Sequence, residues 1–460
     1  MSNDQQSYPD PPRPVSRAGG RQVRRLVAGM TGVAAVATVG VLAATPHLAV
    51  LFRRNVDPAA VYGGPPANIG QPGPSAPTGS SEQPGDDPAA QPVACAADKL
   101  IAAVDLANSG RGGTLKLAEN CTYLLTAGQA FNPNSPTGTG NGLPAITQRI
   151  TLTGKNTSIV RAASAAAFRI FEVAPGGDLT LEGLTVNGGQ APAADPRGGG
   201  GILVDALGSL TVRASSLTHN QALDAPGGGA ISNNGSTSLS HTLISDNSTL
   251  GSGGGIRSTG ILTFLDVEVL HNSAAQRAGG LFVSAGSLLT DGVTVHHNTA
   301  GTLGGGIFVN PATTVKLMYC TVSGNRATGS GGGIENGGQL TLRQCTVNRN
   351  TATAGGGIDN AAGQTVIEGG EVRGNFATQG DGGGIRNTGA LVVRQAGLVR
   401  NEAIGPASAG GGIANLGGTV SLTETRVTDN SAAIAPGGIA TNVPITVDAK
   451  SVIGRNRPTD

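Results

Sequence analysis

Gly333-Ile334-Glu335-Asn336-Gly337-Gly338-Gln339-Leu340-Thr341-Leu342-Arg343-Gln344-Cys345-Thr346-Val347 is the stretch whose pattern decides the fold. Apolar residues alternate within it in short runs, and a period of two means strands, here three per unit. The unit recurs. Its first marker, the apolar residue of Gly-Gly-x-Ile, falls at Ile202, Ile231, Ile256, Leu281, Ile307, Ile334, Ile358, Ile385, Ile413 and Ile439, at intervals of 24 to 29 residues. Its second marker is an Asn three residues after an apolar residue. It gives Asn220, Asn247, Asn272, Asn298, Asn325, Asn350, Asn375, Asn401 and Asn430, each 16 to 18 residues after the preceding first marker.

Strands this short, joined by segments too small for crossover helices, close best as rungs of a parallel solenoid. The Asn column then has a physical role. Each Asn is expected to take the left-handed corner that β-branched residues refuse, and to stack its amide on the Asn of the next rung. About twelve rungs are expected, with Ile231, Ile256, Ile307, Ile334, Ile358 and Ile385 in one inward stack.

Composition agrees with a repeat. The 460 residues include 75 Gly and 26 Pro, with 8 Phe, 4 Tyr and no Trp, so an aromatic-anchored core is excluded. Lys plus Arg total 30 against 29 Asp plus Glu, so no overall field favours nucleic acid or an anionic membrane.

The ends of the chain speak to address. Arg17, Arg21, Arg24 and Arg25 precede an uncharged Ala/Val/Gly-rich stretch from Leu26 to Ala44, and residues 1–44 read as an export signal. Val41 and Ala43 supply small residues for cleavage, while the run of 19 residues is also long enough to remain as a membrane anchor. Contact with a membrane is expected only through such an uncleaved segment. Residues 55–92, rich in Pro and Gly, read as a spacer. Residues 93–460 form the repeat domain, opening with a short amphipathic helix between Ala96 and Asn108 that caps the solenoid.

The two-marker unit resembles the repeat of polymorphic outer membrane proteins, within the pectate-lyase-like superfamily of right-handed parallel β-helices. The resemblance spans roughly residues 93 to 460. It departs in having Val, Ile or Leu where that family usually has Phe before Asn, and no C-terminal barrel follows. It implies an all-β, right-handed parallel β-helix and an adhesive role.

Chemistry is sparse. The superfamily's hydrolase signatures Asn-Thr-Asp, Gly-His-Gly and Arg-Ile-Lys are absent, as are the lyase Asp-His and Arg-x-Pro-x-x-Arg runs. Glu335 and Asp359 each follow a first marker, so their outward carboxylates stack on adjacent rungs and are the catalytic candidates. Arg386 continues that column, which also fits a surface charge ladder. His219, Asp246, His271 and His297 each precede a marker Asn and form a candidate metal column, Zn²⁺ suiting imidazole and carboxylate together. Later rungs place Gly324, Arg349, Gly374 and Arg400 there, as in a solvated corner. No cofactor is indicated. Cys95 and Cys121 flank the capping helix and are expected to bond, as cysteines of an exported chain do. Cys320 and Cys345 share a column about 5 Å apart, within bridging range or a buried thiol pair.

The function expected from all this is an exported cell-surface or secreted structural, adhesive or interaction module, with a polysaccharide or surface protein as partner. The alternative is a carbohydrate-active enzyme, a polysaccharide lyase or glycoside hydrolase.

Overall fold

The computed structural model describes residues 90–129, 140–192, 195–223 and 226–458. The expected export signal and nearly all of the expected spacer lie outside them. The first strand, Gln91–Val93, already pairs in parallel with Gly113–Leu117, so the solenoid begins at the end of that spacer.

The repeat closes as a parallel β-solenoid of about thirteen turns, one more than the markers suggest, because the irregular opening segment adds strands that carry neither marker. One turn runs through Ile334–Asn336, Gln339–Asn348 and Thr351–Ala352. Each pairs in parallel with its counterpart a turn later, with Ile334 beside Ile358, Val347 beside Val372 and Thr351 beside Phe376. Among the described residues the strands form sheets of 21, 10 and 11 members.

Each turn bends at left-handed residues. One corner breaks the long strand, as at Tyr319, Gln344 and Gln395 (φ 51 to 52°). The next comes five residues later, immediately before the marker Asn. The expectation that Asn itself takes the left-handed conformation is therefore corrected by one residue. The Asn points inward instead, where a corner would waste its amide. A third bend lies three residues before the first marker, where Gly331 has φ +66° and a Cβ would approach Ile334 O to 2.7 Å. Glycine is needed there because the chain doubles back over its own next strand.

Two amide ladders run along this frame, one from Asn220 to Asn456 and a shorter one from Asn336 to Asn415. In the expected one, each Asn Nδ2 from Asn220 to Asn430 donates to the next Asn Oδ1 at 2.9 to 3.1 Å, ending on Asn456. The same Nδ2 group reaches back to a strand carbonyl of the preceding turn, as Asn350 does to Val322 O at 2.9 Å. The second ladder, Asn336 to Asn360, Asn387 and Asn415, lies two residues after the first marker, with steps of 2.6 to 2.9 Å. Both columns are buried. An amide shielded from water needs partners for all its polar atoms, and stacking supplies them turn by turn.

The helix Ala97–Ser109 caps the first turns. It buries Leu100, Ala103, Val104 and Ala107, while Leu106 faces solvent. Cys95 is bonded to Cys121 and Cys320 to Cys345, with Cα separations of 5.8 and 4.5 Å. These disulfides fit an extracellular location.

Candidate functional site

Parallel register turns one sequence position into a column. The position after the first marker gives Glu172, Leu203, Ser232, Arg257, Phe282, Phe308, Glu335, Asp359 and Arg386. These side chains point away from the main core. All but the half-buried Arg257 and Arg386 are nonetheless covered, because the segment between the marker Asn and the next glycine triplet folds across them. Phe282 and Phe308 pack under it with Ala278 and Leu303 as a small second core.

Glu335 and Asp359 thus stand on adjacent turns, as the spacing implies, but they are 5% and 1% exposed. The surface charge ladder is corrected to a buried one, and no glycan reaches these carboxylates in this conformation. Arg386 lies 3.1 Å from Asp359 Oδ2. Glu335 Oε2 has no hydrogen-bond partner. Burial, and then the charge of Asp359, push the Glu335 carboxyl up to about 8. Asp359 is also raised, by burial that its contacts with Arg386 and Ser330 only partly offset.

The same column opens on a different arrangement. Arg169 is fully buried, donates to Asp195, and lies 3.5 Å from Glu172. Arg197 reaches Glu172 at 2.9 Å, Asp195 at 3.0 Å and Asp205 at 3.3 Å. Asn141 Nδ2 adds a bond to Glu172 Oε2 at 2.8 Å. Burial alone would push the Glu172 carboxyl up, but Arg197, Asn141 and Arg169 reverse this and hold it below its ordinary range. This network is absent from the sequence reading, since Arg169, Asp195 and Arg197 lie in the segments that carry neither marker.

His219, Asp246, His271 and His297 do occupy one corner, all left-handed, with φ of 55, 57, 54 and 53°. His219 Nδ1 is 3.3 Å from Asn187 Nδ2, His271 Nδ1 is 3.8 Å from Asp246 Oδ1, and the His271 and His297 rings are 5.5 Å apart. His296, a neighbour the column misses, sits 3.0 Å from His297 Nδ1 and 2.9 Å from Glu268 Oε1. Partial burial, then His296 and His271, hold His297 below the usual imidazole range. Among the described residues no three His, Cys, Asp or Glu side chains converge on a common metal position.

Compared with known proteins, the chain matches no family model, no curated sequence and no solved structure.

Proposed function

We propose that this chain is an exported, cell-surface or secreted β-solenoid that acts as a structural, adhesive or interaction module. The observation that carries the reading is the unbroken Asn ladder from Asn220 to Asn456, which makes a rigid rod whose outward columns are free to vary. The two disulfides fit an oxidising compartment, and the Arg-rich export segment at residues 1–44 supplies the address. Burial of Glu335 and Asp359 weakens the alternative of a carbohydrate-active enzyme. Protease shaving of intact cells, followed by non-reducing peptide mapping, tests the proposal. Accessible protein with Cys95 joined to Cys121 and Cys320 to Cys345 supports it. Protein held inside with four free thiols overturns it.

A further inference from the structure

The corner before the ladder Asn changes character along the rod. In the last turns it holds Arg349, Gly374, Arg400, Asp429 and Arg455, with φ of 54, 58, 55, 60 and 56°. The strand just before this corner contributes Arg373 in one column and, in another, Glu371, Gly397 and Arg426. Arg457 stands beyond it, bridged to Ser431. These side chains line two grooves that meet at Arg400. One, of about 330 Å³, lies among Arg349, Arg373, Arg400 and Arg426. The other, of about 790 Å³, lies among Arg400, Arg455 and Arg457.

Six guanidinium groups face two carboxylates here. Arg373 lies 3.6 Å from Glu371 and Arg455 lies 2.7 Å from Asp429. Arg349, Arg400, Arg426 and Arg457 are exposed and have no carboxylate at ion-pair distance among the described residues. The chain as a whole is nearly neutral, 30 against 29, so the excess is local to this face. Unpaired like charges gathered in one concavity repel one another and focus a positive potential onto it. The floor is open at Gly374, where an added Cβ would meet nothing nearer than Arg400 O at 4.0 Å.

We propose that this groove binds a linear acidic polysaccharide along the solenoid axis. Arg349, Arg400 and Arg455 recur on alternate turns, about 9.6 Å apart at the ~4.8 Å spacing of neighbouring strands, and can meet anionic groups spaced that far apart along an extended polymer. Each presents a planar fork suited to a carboxylate. Asn348, on the groove wall, has an Oδ1 shielded from water and without a donor. Rotation of its amide offers that oxygen to a sugar hydroxyl, a donor that a DNA phosphate backbone lacks. No aromatic ring lines either groove, so the stacking that holds single-stranded bases is missing.

The inference rests on the outward-facing reading above but is tested on purified full chain, so that binding and cellular location fail separately. Fluorescent polyuronate oligomers are titrated in low and high salt, beside neutral glucan oligomers, duplex DNA and anionic phospholipid vesicles. Polyuronate binding that weakens with salt is expected, with no binding of neutral glucan. Gly374→Asp places a carboxylate between Arg349 and Arg400 at a corner that already accepts Asp246 and Asp429, so the fold should hold. It should weaken binding at least tenfold. Arg400→Gln should weaken it roughly tenfold, the scale of one charge-assisted contact, and Arg343→Gln, on another face, should not change it. Absence of polyuronate binding, unchanged affinity in both groove variants, or tighter binding of DNA or vesicles overturns the proposal.

Discussion

Glu172 and Glu335 occupy the same position of the repeat, in the same outward column, and behave oppositely. Both are buried. Around Glu172, two guanidinium groups and an asparagine amide meet the carboxylate. Around Glu335, the next turn brings another carboxylate, while the nearest arginine in the column, Arg386, is taken by Asp359. Position in the repeat therefore sets direction and burial, whereas the segment folded over the column sets the electrostatics. A charge that is buried and compensated ties the covering loop down; one that is buried and uncompensated keeps its proton.

The largest effect should come from removing the compensation. Arg169→Leu removes one of the two guanidinium groups that meet Glu172 and Asp195, and urea unfolding should show a loss of about 3–5 kcal/mol. A loss below about 1 kcal/mol would mean that the network is dispensable and the contrast empty. Next in size is the element both regions share. Asn220→Ala and Asn350→Ala each orphan ladder partners, and each should cost about 2–3 kcal/mol. Clearly unequal costs would show that the ladder itself differs between the two ends.

Opposite in sign is Glu335→Gln. The folded carboxyl titrates near 8, above its ordinary value of 4.5 in the unfolded chain. The unfolded state ionises first, so this group lowers stability progressively as pH rises from 4.5 to 8, and the full penalty is present above 8. The Gln variant should match the unaltered protein at pH 4 and exceed it at pH 9 by up to about 5 kcal/mol, the free energy that a rise from 4.5 to 8 corresponds to. Glu172, held low, acts in reverse: its contribution is complete above the usual carboxylate range and is lost as pH falls. A Gln variant with an unchanged pH profile would remove Glu335 from the comparison. The smallest effect belongs to the stack left in water, Arg343 with Glu368 and Arg394. Arg343→Gln should cost no more than about 0.5 kcal/mol.

Much of this was legible in the chain. The first marker stacks as an inward column, buried from Ile202 to Ile413, and apolar-x-x-Asn located the first ladder. Asn456, three residues after Ile453, extends it by the same rule but falls outside the repeats as aligned. The second ladder was equally readable as Ile-x-Asn at Ile334-Glu335-Asn336, Ile358-Asp359-Asn360, Ile385-Arg386-Asn387 and Ile413-Ala414-Asn415. The covering of Glu335 and Asp359 was not legible, since alternation tells inward from outward but not what later folds over the outward side. Nor was the Arg169 network, which joins Asn141 to Asp205 across segments without a periodic signal. The Arg groove falls between these cases. Each arginine was visible, but its neighbours belong to different columns, and only the register brings them together.

The bond between Cys320 and Cys345 links two consecutive turns, 25 residues apart in the chain. Under tension a solenoid pays out length one turn at a time, as a coil of rope does from its free end. Here one loop of that rope is knotted to the next. A molecule tethered to a cell at its N-terminal side and pulled from its far end would keep that loop stored until the disulfide was reduced. Redox state would thus set how far the rod extends under load, while leaving its folded, unloaded shape almost unchanged.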